Sequence, residues 1–331
     1  MQHMDRVIVI STGGTISMVQ DVTRGGAAPE LSGEKMLSGL GIPRGLAKVE
    51  VVDLFRLPSA HLTLKDIWTI REKVVEYATR AGVTGVVVSM GTDVLEEVAY
   101  LLDITTPGET PVVVTGAMRT ASSVGWDGGA NLLAAIRTAI AKEVRGLGTL
   151  VVLNDEIHAA RYVTKVHTQS LETFRSPGWG PIGRLDGDEV IVGMRVEPQD
   201  VIDCQGLEPA VYLIKLAAGM DDGFLRYALE QGARGVVLEV FGAGRVPPWW
   251  MPAIRQAIAD GVPVVAVSRC PAGRLYDSYR FEGSYRELVE AGVLFAQDLN
   301  GPKARIRLMA ALDAVRHLGV PVSDFFEQRG V

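Results

Sequence analysis

The chain has 331 residues, 47% of them apolar and 22% charged, with 33 Lys and Arg against 39 Asp and Glu for a net charge of −6. This is the composition of a folded globular protein, which excludes wholesale disorder or a collagen-like chain; at roughly 150 residues per domain the length fits two domains. The acidic balance and the absence of a Lys/Arg cluster argue against nucleic acid or an anionic membrane as main partner. The two cysteines, Cys204 and Cys270, cannot form a disulfide framework and read as reduced core thiols.

The first apolar run, Val7 to Ile10, is too short for a signal peptide, and no stretch approaches ~18 apolar residues. A cytoplasmic protein with no membrane span is expected. Residues 7–10, 49–54, 85–89, 111–115 and 149–153 are short β-branched runs that predict buried strands. Between them, residues 63–81 carry apolar residues at helical spacing, with Thr63 as N-cap, Asp66 three positions on and Gly82 past the end. Residues 93–104 and 131–141 predict further helices. Strand alternating with helix means βαβ units and a parallel sheet.

From 166 to about 209 this rhythm fails. Residues 174–181 are rich in turn formers, and Leu185-Asp186-Gly187-Asp188 reads as a tight turn. The alternation resumes with strands at 211–216, 235–241, 262–268 and 293–296, and with helices ending near Gln231 and Ala259. A last helix spans 302–318, opened by Pro302. The expected architecture is two α/β domains. A larger N-terminal parallel-sheet catalytic domain of flavodoxin-like character covers 1–187, a linker 188–209, and a smaller C-terminal α/β domain 210–331.

Familiar chemical motifs are missing. There is no G-x-x-x-x-G-K-[ST] and no G-x-S-x-G, and Gly242-Ala243-Gly244 does not complete a dinucleotide fingerprint. His3, His61, His158, His167 and His317 lack zinc spacing and read as surface or packing residues. What remains is polar residues at the carboxyl ends of the predicted strands, where open α/β sheets bind ligands. Those ends read Ser11-Thr12-Gly13-Gly14-Thr15, Ser89-Met90-Gly91-Thr92-Asp93, Thr115-Gly116-Ala117-Met118-Arg119 and Asn154-Asp155. Any one of them is an ordinary strand-to-helix turn; four on one sheet edge make a site.

The wording of these ends resembles the bacterial-type L-asparaginase family. Thr12-Gly13-Gly14-Thr15-Ile16 and Gly91-Thr92-Asp93 match its two signatures. Gly116-Ala117-Met118-Arg119, Asp127-Gly128 with Asn131, Asn154-Asp155, Val163-Thr164-Lys165, Ser176-Pro177, Gly180-Pro181 and Lys303-Ala304-Arg305 follow in order. The resemblance covers residues 7 to about 310. It implies a threonine-dependent amidohydrolase that converts L-asparagine to L-aspartate and ammonia, with no metal and no organic cofactor. Thr15 takes the place of the family nucleophile, and Thr92, Asp93 and Lys165 that of its proton-transfer group. Ser59 matches the serine that holds the substrate α-carboxylate, Asp93 also meets the α-amino group, and the Ala117 N–H matches the oxyanion donor. The family also implies a homodimer or homotetramer, in which the aromatic stretch at 275–282 reaches a neighbouring site through Tyr276, Tyr279 or Glu282.

This chain departs from the family pattern at several positions. Met90 stands where the second signature commonly has histidine, and Ala60 where a polar residue touches the substrate amine. Arg245 stands where asparagine is common, and the segment 16–32, the expected lid, has no tyrosine. The lid reads as an irregular Gly-rich loop that closes over the nucleophile. Trp249-Trp250 reads equally as a pair of interface anchors or as a helix start packed in the core. Two rival expectations stand beside L-asparagine hydrolysis: an amidase for another small carboxamide, and a non-catalytic, amidotransferase-type partner subunit.

Overall fold

Uninterrupted β-branched runs form strands buried on both faces, and these define the first part of the chain. The computed structural model describes residues 4–21, 25–29, 31–38, 42–43, 45–276 and 278–326. Strand β1 (Arg6–Gly13) leads through a 3-10 turn, Thr15–Ser17, to β2 (Met18–Asp21), β3 (Gly26–Pro29), helix α1 (Gly33–Ser38) and β4 (Lys48–Leu57). The alternation continues with α2 (Leu64–Ala78), β5 (Gly85–Ser89), α3 (Leu95–Thr105), β6 (Val112–Thr115), α4 (Gly128–Ile140) and β7 (Thr149–Leu153). Then come β8 (Glu156–Ala159), the short pair β9 (Thr164–Lys165) and β10 (Phe174–Arg175), and β11 (Gly183–Asp186) with β12 (Glu189–Val192).

The main sheet has the order β12-β11-β8-β7-β6-β5-β1-β4. From β4 to β7 it is parallel, with Val7 opposite Val49 on one side and Gly85 on the other. Counting only the parallel strands, this is the flavodoxin-like order 2-1-3-4-5, whose topological switch point lies between β1 and β5. Side chains alternate across the strands. Val7, Val9, Val87, Val113, Leu150 and Val152 pack with Leu132, Ala135, Ile136 and Ala139 of α4. The intervening Ile8, Ile10, Val86, Val88, Val114 and Val151 are buried on the opposite face, where α2 and α3 contact the sheet. Each such Val or Ile contributes about 1.5–3 kcal/mol by leaving water. At the start of α2, Thr63 and Asp66 form the expected capping box.

Two expectations change in this region, and one holds. The segment 166–209 is not irregular throughout: β11 and β12 extend the sheet antiparallel beyond β8. Strands of two to four residues carry too little periodicity to be read alone. The predicted tight turn is present as the Gly187-Asp188 hairpin loop, and Arg137 both donates to the Gly187 carbonyl at 3.0 Å and pairs with Asp188. The expected irregular lid is a β-hairpin, with Val19 opposite Ala28 and the Leu31 N–H bonded to the Ser17 carbonyl at 3.0 Å; its tip, 22–24, lies outside the described residues.

The chain divides into compact units at 1–201 and 202–331. The first unit thus takes in β12, which lies inside the stretch expected as linker. The second unit is built from β13 (Val211–Lys215), α5 (Gly223–Glu230), β14 (Gly235–Val240), α6 (Met251–Ala259), β15 (Val264–Ser268), α7 (Tyr285–Glu290), β16 (Leu294–Phe295) and α8 (Gly301–Leu318). Its four strands are parallel in chain order. Here the Trp pair divides: Trp250 is fully buried in the core and Trp249 is exposed, and both indole N–H groups donate to the Met220 carbonyl. Cys204 is buried as expected, but Cys270 is exposed, because it lies just past the end of β15 where the chain leaves the core. Among the described residues, no helix is long and apolar enough to cross a membrane.

Candidate active site

Two backbones meet at the switch point. Gly14 follows β1 with φ +81°, and a Cβ there would lie 2.2 Å from the Gly91 amide nitrogen, so only glycine allows the β1 and β5 ends to touch. Thr15, next in the chain, is half-buried at the start of the 3-10 turn, where the Ser17 N–H closes back on the Gly14 carbonyl at 3.0 Å. The β4 end joins the same place, because the Gly14 N–H donates to the Leu57 carbonyl at 3.0 Å and Ser59 follows two residues later.

Beyond Gly91 the side chains converge through direct hydrogen bonds. Lys165 Nζ donates to Thr92 Oγ1 at 2.9 Å and to Asp93 Oδ1 at 2.8 Å. The Asp93 N–H in turn donates to Ser59 Oγ at 3.1 Å. Thr92 and Ser59 are buried, whereas the Asp93 side chain is 62% exposed and that of Lys165 19%. The group is therefore a buried hydroxyl and a half-sheltered ammonium opening onto a carboxylate at the surface. Lys165 comes from the β9–β10 hairpin, opposite Phe174, and its main-chain N–H is fastened to Glu96 Oε2 on α3 at 3.0 Å.

The β6 end completes the edge. The Met90 N–H donates to the Thr115 carbonyl, which sets Gly116 and the buried Ala117 beside the Met90–Asp93 segment. Of the six expected site residues, Thr92, Asp93, Lys165 and Ser59 are joined in one hydrogen-bonded chain. Thr15 and Ala117 are brought to it through the backbone. The Met90 side chain is fully buried in the core. Asn154 and Asp155, expected as a fourth functional strand end, form the two-residue turn between β7 and β8, with φ of 52° and 59°.

Four participants, Glu96, Asp127, Asn131 and His158, escaped the sequence reading in this role. Glu96 anchors the lysine hairpin; its one signal was its position a single helical turn after Asp93. Asp127 and Asn131 hold the β6 end, as detailed below. His158, fully buried, links Ser176 Oγ at 2.9 Å and Glu156 Oε2 at 3.2 Å, and Arg175 joins Glu156 at 2.8 Å, so that a polar network runs behind β10. Histidine spacing along the chain does not reveal this: Glu156 shares β8 with His158, but Arg175 and Ser176 lie at the end of β10 and just past it. Among the described residues, no group of three or more His, Cys, Asp or Glu is placed to hold a metal ion.

Comparisons with known proteins bear on the family and the fold. Residues 6–197 match the family model for the asparaginase N-terminal domain, and residues 210–317 that for the glutaminase/asparaginase C-terminal domain. An L-asparaginase from Bacillus licheniformis is 37% identical over 307 residues, 93% of this chain and 95% of that protein. A glutamyl-tRNA(Gln) amidotransferase subunit from Methanopyrus kandleri is 32% identical over 331 residues, 94% of this chain and 71% of that protein. Among solved structures, a probable cytoplasmic L-asparaginase from Campylobacter jejuni superposes with a TM-score of 0.83 at 27% identity, covering 97% of this chain and 99% of that one.

Proposed function

The chain belongs to the glutaminase/asparaginase family and is an amidohydrolase, and from that premise we propose that it hydrolyses the side-chain amide of L-asparagine through a threonyl acyl-enzyme on Thr15. The observation that carries this reading is the Thr92–Lys165–Asp93 hydrogen-bonded group beside the Thr15 turn. A neutral hydroxyl is a poor nucleophile and needs a base within relay distance. Lys165, acting in its amine form, takes the Thr15 hydroxyl proton through Thr92. Thr15 Oγ1 bonds to the amide carbon, and the carbonyl oxygen, now negative, is met by the Ala117 N–H. The proton passes to the amide nitrogen, the C–N bond breaks and ammonia leaves. Water then gives a proton to Lys165 through Thr92 and adds to the acyl carbon; the Thr15 Oγ1–C bond breaks, the proton returns to Thr15 Oγ1, and L-aspartate leaves.

Substrate recognition follows from the same atoms. Ser59 Oγ accepts the Asp93 N–H, which leaves its O–H to donate to the α-carboxylate. The exposed Asp93 carboxylate takes the α-ammonium, which competes with Lys165 for Asp93 and leaves Nζ to Thr92. The reading extends to a cytoplasmic homodimer or homotetramer, supported by the exposed Tyr276, Tyr279 and Phe281. Asp277, in the same stretch, lies outside the described residues.

The test is ammonia release from L-Asn, L-Gln, their D-forms and simple amides, with Thr15→Ala beside the wild type. L-Asn turnover that falls by several orders of magnitude in a folded Thr15→Ala protein is expected; wild-type turnover in that variant overturns the assignment. A second reading, hydrolysis of a different small carboxamide, is favoured by Met90, which is withdrawn into the core, and by Ala60, which offers no polar group. The same panel decides between the two.

A further inference from the structure

Asp127 occupies the N-cap position of α4, where an aspartate ordinarily accepts the helix's own free N–H groups. It makes no such bond. Its carboxylate turns away from the helix, accepting the N–H of Met118 on Oδ2 at 2.9 Å and that of Arg119 on Oδ1 at 2.8 Å. One turn on, Asn131 is buried and fully engaged. Its Nδ2 donates to the Gly116 carbonyl at 3.0 Å and to Asp127 Oδ2 at 3.1 Å, and its Oδ1 accepts the Asn154 N–H at 2.9 Å. Within the four-residue segment 116–119, the polar groups on either side of Ala117 are thus fixed by two side chains of one helix.

The loop between 119 and 128 also touches the nucleophile's turn. The Ala121 N–H donates to the Met18 carbonyl at 2.9 Å. A Cβ on Gly128 would lie 2.6 Å from Ile16 Cγ1 and 2.5 Å from the Trp126 indole nitrogen, so Ile16, the residue after Thr15, sits in contact with Gly128. The Trp126 nitrogen is buried there with no hydrogen-bond partner among the described residues.

We propose that Asp127, backed by Asn131, is a positioning residue that orients the Ala117 N–H toward the developing oxyanion and keeps it in register with Thr15; this rests on the reading of Thr15 and Ala117 given above. The helix gives up a side-chain cap at its N-terminus, and two charge-assisted bonds hold the loop instead. Preorganised donors act on charge that exists only in the transition state, so loosening the loop affects turnover rather than substrate binding. A misplacement of about 1 Å can cost about a hundredfold in rate.

The experiment compares Asp127→Asn and Asn131→Ala with the wild type, Thr15→Ala and a control, Thr63→Ala, which weakens the cap of α2 only. Steady-state kinetics with L-asparagine, calorimetric titration with L-aspartate and thermal melts are read on each. Asp127→Asn and Asn131→Ala should lower kcat about 10- to 100-fold, with KM and L-aspartate affinity within threefold of wild type. Thr63→Ala should melt earlier with kcat unchanged. If the Asp127 and Asn131 variants keep wild-type kcat, or lose aspartate binding sites in proportion to activity, Asp127 is structural only and the inference fails. If Thr15→Ala turns over like wild type, the reading beneath it fails, and this inference with it.

Discussion

Replacing Lys165 by methionine separates its proposed chemical role from any structural one. The aliphatic stem is kept, and only the ammonium and its bonds to Thr92 and Asp93 are lost. The partner carboxylate is 62% exposed, so the ion pair contributes at most about 1 kcal/mol to stability after solvent screening. The main-chain bond from Lys165 N–H to Glu96 survives, and with it the hold on the β9–β10 hairpin. The melting temperature should therefore move by no more than about 2–4 °C in a unit of this size. Activity should move far more. A positioned general base contributes about 10²–10⁴ in rate, the equivalent of roughly 3–5 kcal/mol of barrier. Thr92→Val, which removes the buried relay hydroxyl at nearly constant volume, should cost about as much, and the double variant little more than either single one, because residues acting as a unit are not additive. Ammonia release from L-asparagine and thermal melts on the three variants measure all of this. Activity within tenfold of wild type in Lys165→Met would falsify the base assignment, and strictly multiplicative losses in the double variant would show that Lys165 and Thr92 act separately.

Other consequences are equally direct. Thr63→Ala should destabilise the fold by about 1 kcal/mol in chemical denaturation, because it removes one side of the capping box. The Thr63 hydroxyl and N–H hold the Asp66 carboxyl below its ordinary value of 3.8, so the contribution of this box is complete above that value and is lost as pH falls through the lowered one. A Thr63→Ala protein, which keeps the backbone N–H but not the hydroxyl, should show a smaller acid-side loss, and an unchanged pH profile would count against the box. Trp250→Ala should cost about 3–5 kcal/mol, as expected for a fully buried tryptophan, and a denaturation midpoint near wild type would contradict its core position. A thiol reagent should modify one cysteine per native chain, Cys270, and reach Cys204 only on unfolding; mass spectrometry of the modified peptide checks which.

Much of the frame is written locally. Runs such as Val7 to Ile10 and Val86 to Val88 have no polar face and so must lie in a sheet covered on both sides. The β-branched strands, the Thr63–Asp66 cap and the final helix are properties of neighbouring residues, and each was legible in the spacing. The alternation of strand and helix then fixes parallel pairing, and parallel pairing places Thr15, Thr92 and Ala117 on one edge.

Tertiary structure decided which groups touch. Lys165 reaches Thr92 across 73 residues, and nothing in either neighbourhood specifies the other, because a hydrogen bond is chosen by distance in space after the chain has packed. Asp127 stood in sequence only as part of the family pattern Asp127-Gly128 with Asn131; the packed β6 end alone offered its carboxylate the N–H groups of Met118 and Arg119. The short strands β11 and β12 and the hairpin of β2 and β3 escaped for a related reason: two to four residues carry too little pattern, and pairing with a neighbour stabilises them. Hydrophobic periodicity thus determined the sheet and the edge on which the candidate site lies. The contacts that turn that edge into a candidate catalytic group depend on long-range packing, which local spacing does not encode.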